Sequence, residues 1–305
     1  MLLLPALLIP EASRAQSQIE LRARDVRGFA DYLLRFQQFY EPALAAAAAA
    51  KEIERVAADL AAGALTQQAA GERSEALHAR AAGHLGEIDR AIADGRYDPP
   101  AIRNPSMRDP VLAMREGIDA MRKSVAGLVA GAQDAFAAAG DGDARATRFD
   151  VLIGLLELEN RFIALSGAGI WDDHPQKALN EAMSSLNAKL IGMLDPQRSD
   201  AAARSTDVAI GSIERGRLQV RQLAQQVKEY VREAPRAAEI AKAFEAAYLE
   251  SFAVEHALAG KVDTLSGRTA DRTEIERMVA PLIGRRVALY SQRLASITEV
   301  ERIIR

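Results

Sequence analysis

The chain contains no cysteine. Disulfides, thiolate catalysis, Cys-ligated zinc and Cys-ligated iron–sulfur clusters are therefore excluded from its 305 residues. Aromatic residues are scarce, at 5% of the chain with a single tryptophan, so few large anchors are available to fix its packing. An excess of one charge is missing too: the net charge of -3 and pI of about 5.9 give no overall attraction to nucleic acid, and no nucleic-acid partner is expected. Alternating β-branched runs bounded by turns are absent, which removes strands from the expected fold. No apolar run approaches the ~20 residues that cross a bilayer, so no stable membrane span is expected. Neither a Gly-x-Ser-x-Gly elbow nor a phosphate-binding glycine loop occurs, and no cofactor is expected.

What the chain has in abundance is alanine, about a fifth of all residues, within a hydrophobic fraction of 49%. Alanine is the best helix former, and apolar residues recur at steps of three and four from end to end. The expected fold is all-α: an elongated up-and-down bundle of about eight helices, or two stacked four-helix units. The clearest stripe is Val111, Met114, Ile118, Met121, Val125, Leu128 and Ala132, which Asp109 and Pro110 are expected to open as cap and first turn. Near the N-terminus Ile19, Val26, Leu33 and Tyr40 alternate with Phe29 and Phe36, and Pro42 is expected to kink or interrupt the helix. The run Ala43–Ala50 reads as a narrow face for close approach. "VLIGLLELENRFIAL" is apolar nearly all round, which marks a central helix. Leu156, Leu186 and Val220 join the expected core, whereas Gly260 to Ala270 reads as loop. A division near "DGDARATR" separates bundles 16–140 and 141–305, which the pattern also allows to run on as one array.

The first 15 residues carry an apolar run from Leu2 to Ile9, then Ser13 and Ala15 at the small-residue positions of a cleavage site. A signal peptide is expected, placing the mature protein in the periplasm; left uncleaved, the same segment would mark a cytoplasmic protein. No Lys or Arg precedes the apolar run.

Candidate chemistry is sparse. Glu75 pairs with His78 and His84 with Glu87 at helical spacing, but residues 75 and 84 fall on opposite sides of a helix, so the two pairs cannot share one ion. The His84 stretch departs from the Gly-x-His-x-x-Glu motif of imelysin-like helical proteins, because the glycine is displaced by one and "IDRAIADG" follows; the chain is not identified with that family. Glu159 lies on the most apolar face with Leu152, Leu156 and Ile163, where a carboxylate needs an arginine or a polar network. If a metal binds, His84, Glu87, Glu159 and His256 are its candidate ligands, a set suited to zinc, manganese or iron. "WDDHP" places Trp171, Asp172 and His174 in a loop with ligand- or partner-contact potential, His174 or Asp173 capping the helix that Pro175 begins. Arg285, Arg286 and Arg293 read as the solvated face of the last helix.

Three functional readings follow. The first is an exported, non-enzymatic binding or adaptor protein working through its helix surfaces with a protein partner. The second is a sensory ectodomain holding a small ligand between helices. The third is a metal-binding helical protein or metalloenzyme.

Overall fold

The computed structural model describes residues 11–139, 149–167, 174–198, 206–267 and 270–304. These form an all-α bundle of eight helices with no strand among the described residues. In order they are α1 (Glu11–Ala61), α2 (Gln67–Ala93), α3 (Pro105–Ala139), α4 (Asp150–Ser166), α5 (Pro175–Leu194), α6 (Thr206–Tyr230), α7 (Ala237–Ser266) and α8 (Arg272–Ile304). No described helix is long and apolar enough to cross a membrane.

The long helix α1 organises one side of the molecule, with α2 and α3 as its main neighbours. Its alanines allow this: Ala43, Ala46, Ala47 and Ala50 are fully buried, and Ala81 of α2 and Ala132 of α3 are buried with them. Close helix approach follows from the short side chains. On the other side α5, α6, α7 and α8 pack in sequence, while α4 touches α1, α3 and α5 and α8 returns to α1. One cluster of buried side chains draws on every helix, from Tyr32 to Val300, and so runs across the division near residue 140; that boundary itself lies outside the described residues.

Helix ends are set by identifiable groups. Thr66 caps α2 by accepting the N–H of Ala69 at 3.2 Å, and Gly63, at φ +70°, makes the turn out of α1. α3 starts a turn earlier than the Asp109–Pro110 pair implies. Asn104 is its cap, accepting the N–H of Ser106 at 3.0 Å, with Pro105 in the first turn. Asp25 of α1 secures this start by accepting the backbone N–H groups of Arg103 (3.2 Å) and Asn104 (2.8 Å). His174 caps α5 as expected, its Nδ1 accepting the N–H of Gln176 at 3.0 Å ahead of Pro175.

Several other details differ from the sequence reading. Pro42 lies inside one continuous α1. Val26 is half exposed, because Asp25 takes the inward position beside it. Gly260 belongs to α7, which continues to Ser266. The core residues Val111, Ile118, Val125, Leu156, Leu186 and Val220 are all buried.

Candidate functional site

Two features stand out from the hydrocarbon core: a buried charge network at its centre and a cleft on its flank. The network begins with Glu159 of α4, which is 1% exposed. Arg286 of α8 reaches it with Nη1 at 2.6 Å. The same guanidinium binds Glu255 of α7 twice, Nη2 to Oε2 at 2.6 Å and Nε to Oε1 at 2.8 Å. Asn187 of α5 completes the set by accepting from Arg286 Nη1 at 2.7 Å and donating to Glu159 Oε2 at 3.0 Å. Four helices are thereby joined by charge-assisted bonds in a buried interior.

Electrostatics in the network follow from its depth. Burial raises the Glu159 pKa above the ordinary carboxylate value, with Arg286 acting against that rise. For Arg286 burial works against the charge, but the carboxylates of Glu159 and Glu255 outweigh it and hold the guanidinium ionised. Tyr40 stacks on Phe162 with centroids 3.8 Å apart, and its buried hydroxyl has no hydrogen-bond partner among the described residues. Burial raises its pKa well above the usual phenol value, and Glu159 adds to the effect.

One heptad along α8, Arg293 is also buried, at 3%. Its Nη1 donates to Ser251 Oγ at 2.6 Å, and its guanidinium lies 5.7 Å from the Tyr290 ring centroid. The reading of these arginines as solvated is thus corrected for two of the three. Arg285 is exposed and pairs with Glu250, but Arg286 and Arg293 share the inward stripe with Val279, Ile283, Tyr290 and Val300. Their seven-residue spacing within that stripe was the legible signal.

The cleft has a volume of about 550 Å³ and lies between α1, α4 and α8. Leu152, Leu155, Ile283 and Val287 give it an apolar wall, and Lys51, Arg55, Glu276 and Arg277 bring charge to it. Lys51, itself 9% exposed, bridges Glu54 on its own helix and Glu276 on α8. Arg55 stands 3.8 Å from Glu52 with both side chains exposed. Arg277 is exposed and forms no ion pair among the described residues.

The four candidate metal ligands are distributed differently. His84 Nδ1 lies 3.8 Å from Glu87 Oε2 on the partly exposed face of α2. Glu159 is engaged by Arg286 in the core, as the need for an arginine partner implied. His256 does not sit on an apolar face; it is exposed, and its neighbour Glu255 is the buried residue, one position away. Among the described residues no group of three or more His, Asp or Glu side chains is arranged to hold a metal ion. His78 bonds across to Gln133 of α3 at 2.5 Å rather than pairing with Glu75. His174 is largely enclosed, and burial lowers its pKa to about 4. Trp171 and Asp172 lie outside the described residues.

Comparison with known proteins adds no relative: no family model, no curated protein and no solved structure matches this chain.

Proposed function

We propose that this protein is an exported, non-enzymatic helical binding protein whose ligand is a small amphipathic molecule seated between α1, α4 and α8. The observation that carries this reading is the cleft of about 550 Å³. Its size falls within the range of about 300–1,000 Å³ typical of small-molecule sites, and apolar walls with a few polar groups are the usual lining. Arg277, which forms no ion pair among the described residues, and the exposed Arg55 suit a ligand with an acidic head, and Leu155 and Val287 suit its apolar body. A non-catalytic role is supported by the engagement of the buried carboxylates: Glu159 and Glu255 are both held by Arg286. Docking through helix faces has less support, because the exposed large apolar side chains are scattered over α1, α3 and α6.

Export rests on the Leu2–Ile9 run and the Ser13–Ala15 pair. The first buried side chain among the described residues is Asp25, so cleavage after Ala15 leaves the described core contacts in place. N-terminal sequencing of protein from its host tests this, with Gln16 as the expected first residue and an intact Met1 as the contrary result.

Filling the cleft tests the binding reading. A Cβ on Gly284 meets nothing within 4 Å, so Gly284→Leu fills space without disturbing α8. Fatty acids and aromatic carboxylates should raise the unfolding midpoint of the parent and leave that of Gly284→Leu unchanged. Equal shifts in both proteins would move the site elsewhere.

A further inference from the structure

Among the described residues Arg293 is the buried cation without a carboxylate partner, whereas Lys51 and Arg286 each have two. A guanidinium carries five N–H donors. The structure gives Arg293 a single hydrogen bond, to Ser251 Oγ, and no carboxylate among the described residues lies within 4.0 Å of it. The nearest acidic group in the network is not free to help, since Glu255 spends both oxygens on Arg286. Contact with the Tyr290 ring compensates part of the charge. Burial nevertheless lowers the Arg293 pKa, which marks a charge that its surroundings do not fully repay.

Beside this side chain lies a small cavity of about 10 Å³, lined by Gln37, Ser166, Gln176, Tyr290 and Arg293. That is room for about one atom-sized guest. No carboxylate lines it. The hydroxyls of Tyr290 and Ser166 donate to the Gln37 and Ile163 carbonyls, and Gln176 Nε2 donates to Asn180 Oδ1, so Arg293 is the lining group left with donors to spare. Two of the potential acceptors are already engaged: Gln176 Oε1 accepts from Tyr248 at 3.2 Å, and Ser251 Oγ accepts from Arg293 itself. Phe162, Leu294 and Ile297 close the remaining walls with hydrocarbon. A compact anion meets the need of the site, since it supplies the counter-charge and the acceptor that the remaining N–H groups of Arg293 lack.

We propose that the cavity between α1, α4, α5 and α8 is a halide site, with chloride held by Arg293 as an internal counter-ion. A bound chloride ties helices from both ends of the chain, because Gln37 belongs to α1 and Arg293 to α8. It adds no reaction and is independent of the cleft ligand.

The test compares unfolding midpoints of the full chain in sodium chloride, sodium bromide and sodium gluconate at equal ionic strength. Chloride and bromide should raise the midpoint by about 2 to 4 °C in a saturable way. Gluconate, too large for the cavity, should give no such rise. Arg293→Met should abolish the difference between salts. Crystals of the parent soaked in bromide supply a readout that does not depend on that variant folding, with an anomalous peak expected within hydrogen-bond reach of Arg293. A water in the cavity without anomalous signal, a halide effect that survives in Arg293→Met, or equal midpoints in all three salts would overturn the proposal.

Discussion

Helix α4 meets its neighbours in two different ways. Toward α3 it is fitted by shape: Leu165 of α4 lies over Gly117, and Leu128 of α3 lies over Gly154. Each helix presents a glycine and, eleven residues on, a leucine, so the two antiparallel strips interlock reciprocally. Toward α5, α7 and α8 it is fitted by charge, through Glu159, Asn187 and Arg286. Shape tolerates any pH and salt but admits no extra atom. Charge tolerates small displacements but fails when one partner is removed, because the survivors stay buried and unpaired.

The largest effect should come from breaking the charged contact. Arg286→Met strands Glu159 and Glu255 in the interior and should cost about 3 to 5 kcal/mol in urea unfolding. Replacing both carboxylates with Leu in the same chain should recover most of that loss. A cost below about 1 kcal/mol for Arg286→Met alone would show that the network is hydrated rather than dry.

A second test uses pH, to which the shape-fitted contact is indifferent. His174 caps α5 through an unprotonated Nδ1, and its folded pKa of about 4 lies below the ordinary 6.5. The unfolded chain therefore binds the proton more readily between those values. Because burial disfavours the charged ring, the stability that depends on a neutral His174 is complete above pH 6.5 and is lost as pH falls through about 4. The full loss amounts to about 3 kcal/mol, read as the slope of stability against pH. His174→Asn keeps a capping oxygen without a titrating ring and should flatten that slope.

The shape-fitted contact gives the smallest change. A Cβ at residue 154 would stand 2.2 Å from Leu128 Cδ2, so Gly154→Ala requires the leucine to turn away. Overpacking typically costs about 1 to 3 kcal/mol, and the gain in helix propensity returns up to about 1 kcal/mol. Pairing Gly154→Ala with Leu128→Ala should cost less than the sum of the two single changes. Strict additivity would mean that the interlock carries no energy of its own.

The same contrast explains what was readable in the sequence. Apolar periodicity exposes a helix's inward face, so the α3 stripe and the core positions Leu156, Leu186 and Val220 were legible. Periodicity does not say which inward residues meet, and the Gly154–Leu128 fit depends on that pairing. Charged residues inside a stripe were read unevenly. Glu159 stood out because its whole helix is apolar, whereas Arg286 and Arg293 were hidden among exposed neighbours such as Arg285. His256 and Glu255 differ by one position, or about 100° around the helix, a margin finer than an apolar stripe resolves. Two Asx-Pro pairs near the start of α3 offered equivalent caps, and the contact from Asp25 that favours Asn104 comes from a residue 79 positions away. The cleft was illegible for a similar reason: Lys51 and Glu276 are separated by 225 positions.

That separation has a consequence for how the chain is made. Synthesis proceeds from the N-terminus, and Arg286 follows Glu159 by 127 positions and Glu255 by 31. Until α8 emerges, both carboxylates wait without a guanidinium to meet. A water-free closure of the first seven helices alone would bury two unpaired anions, at a cost of several kcal/mol per ion. The last helix therefore carries the charge that lets the other seven close over these carboxylates.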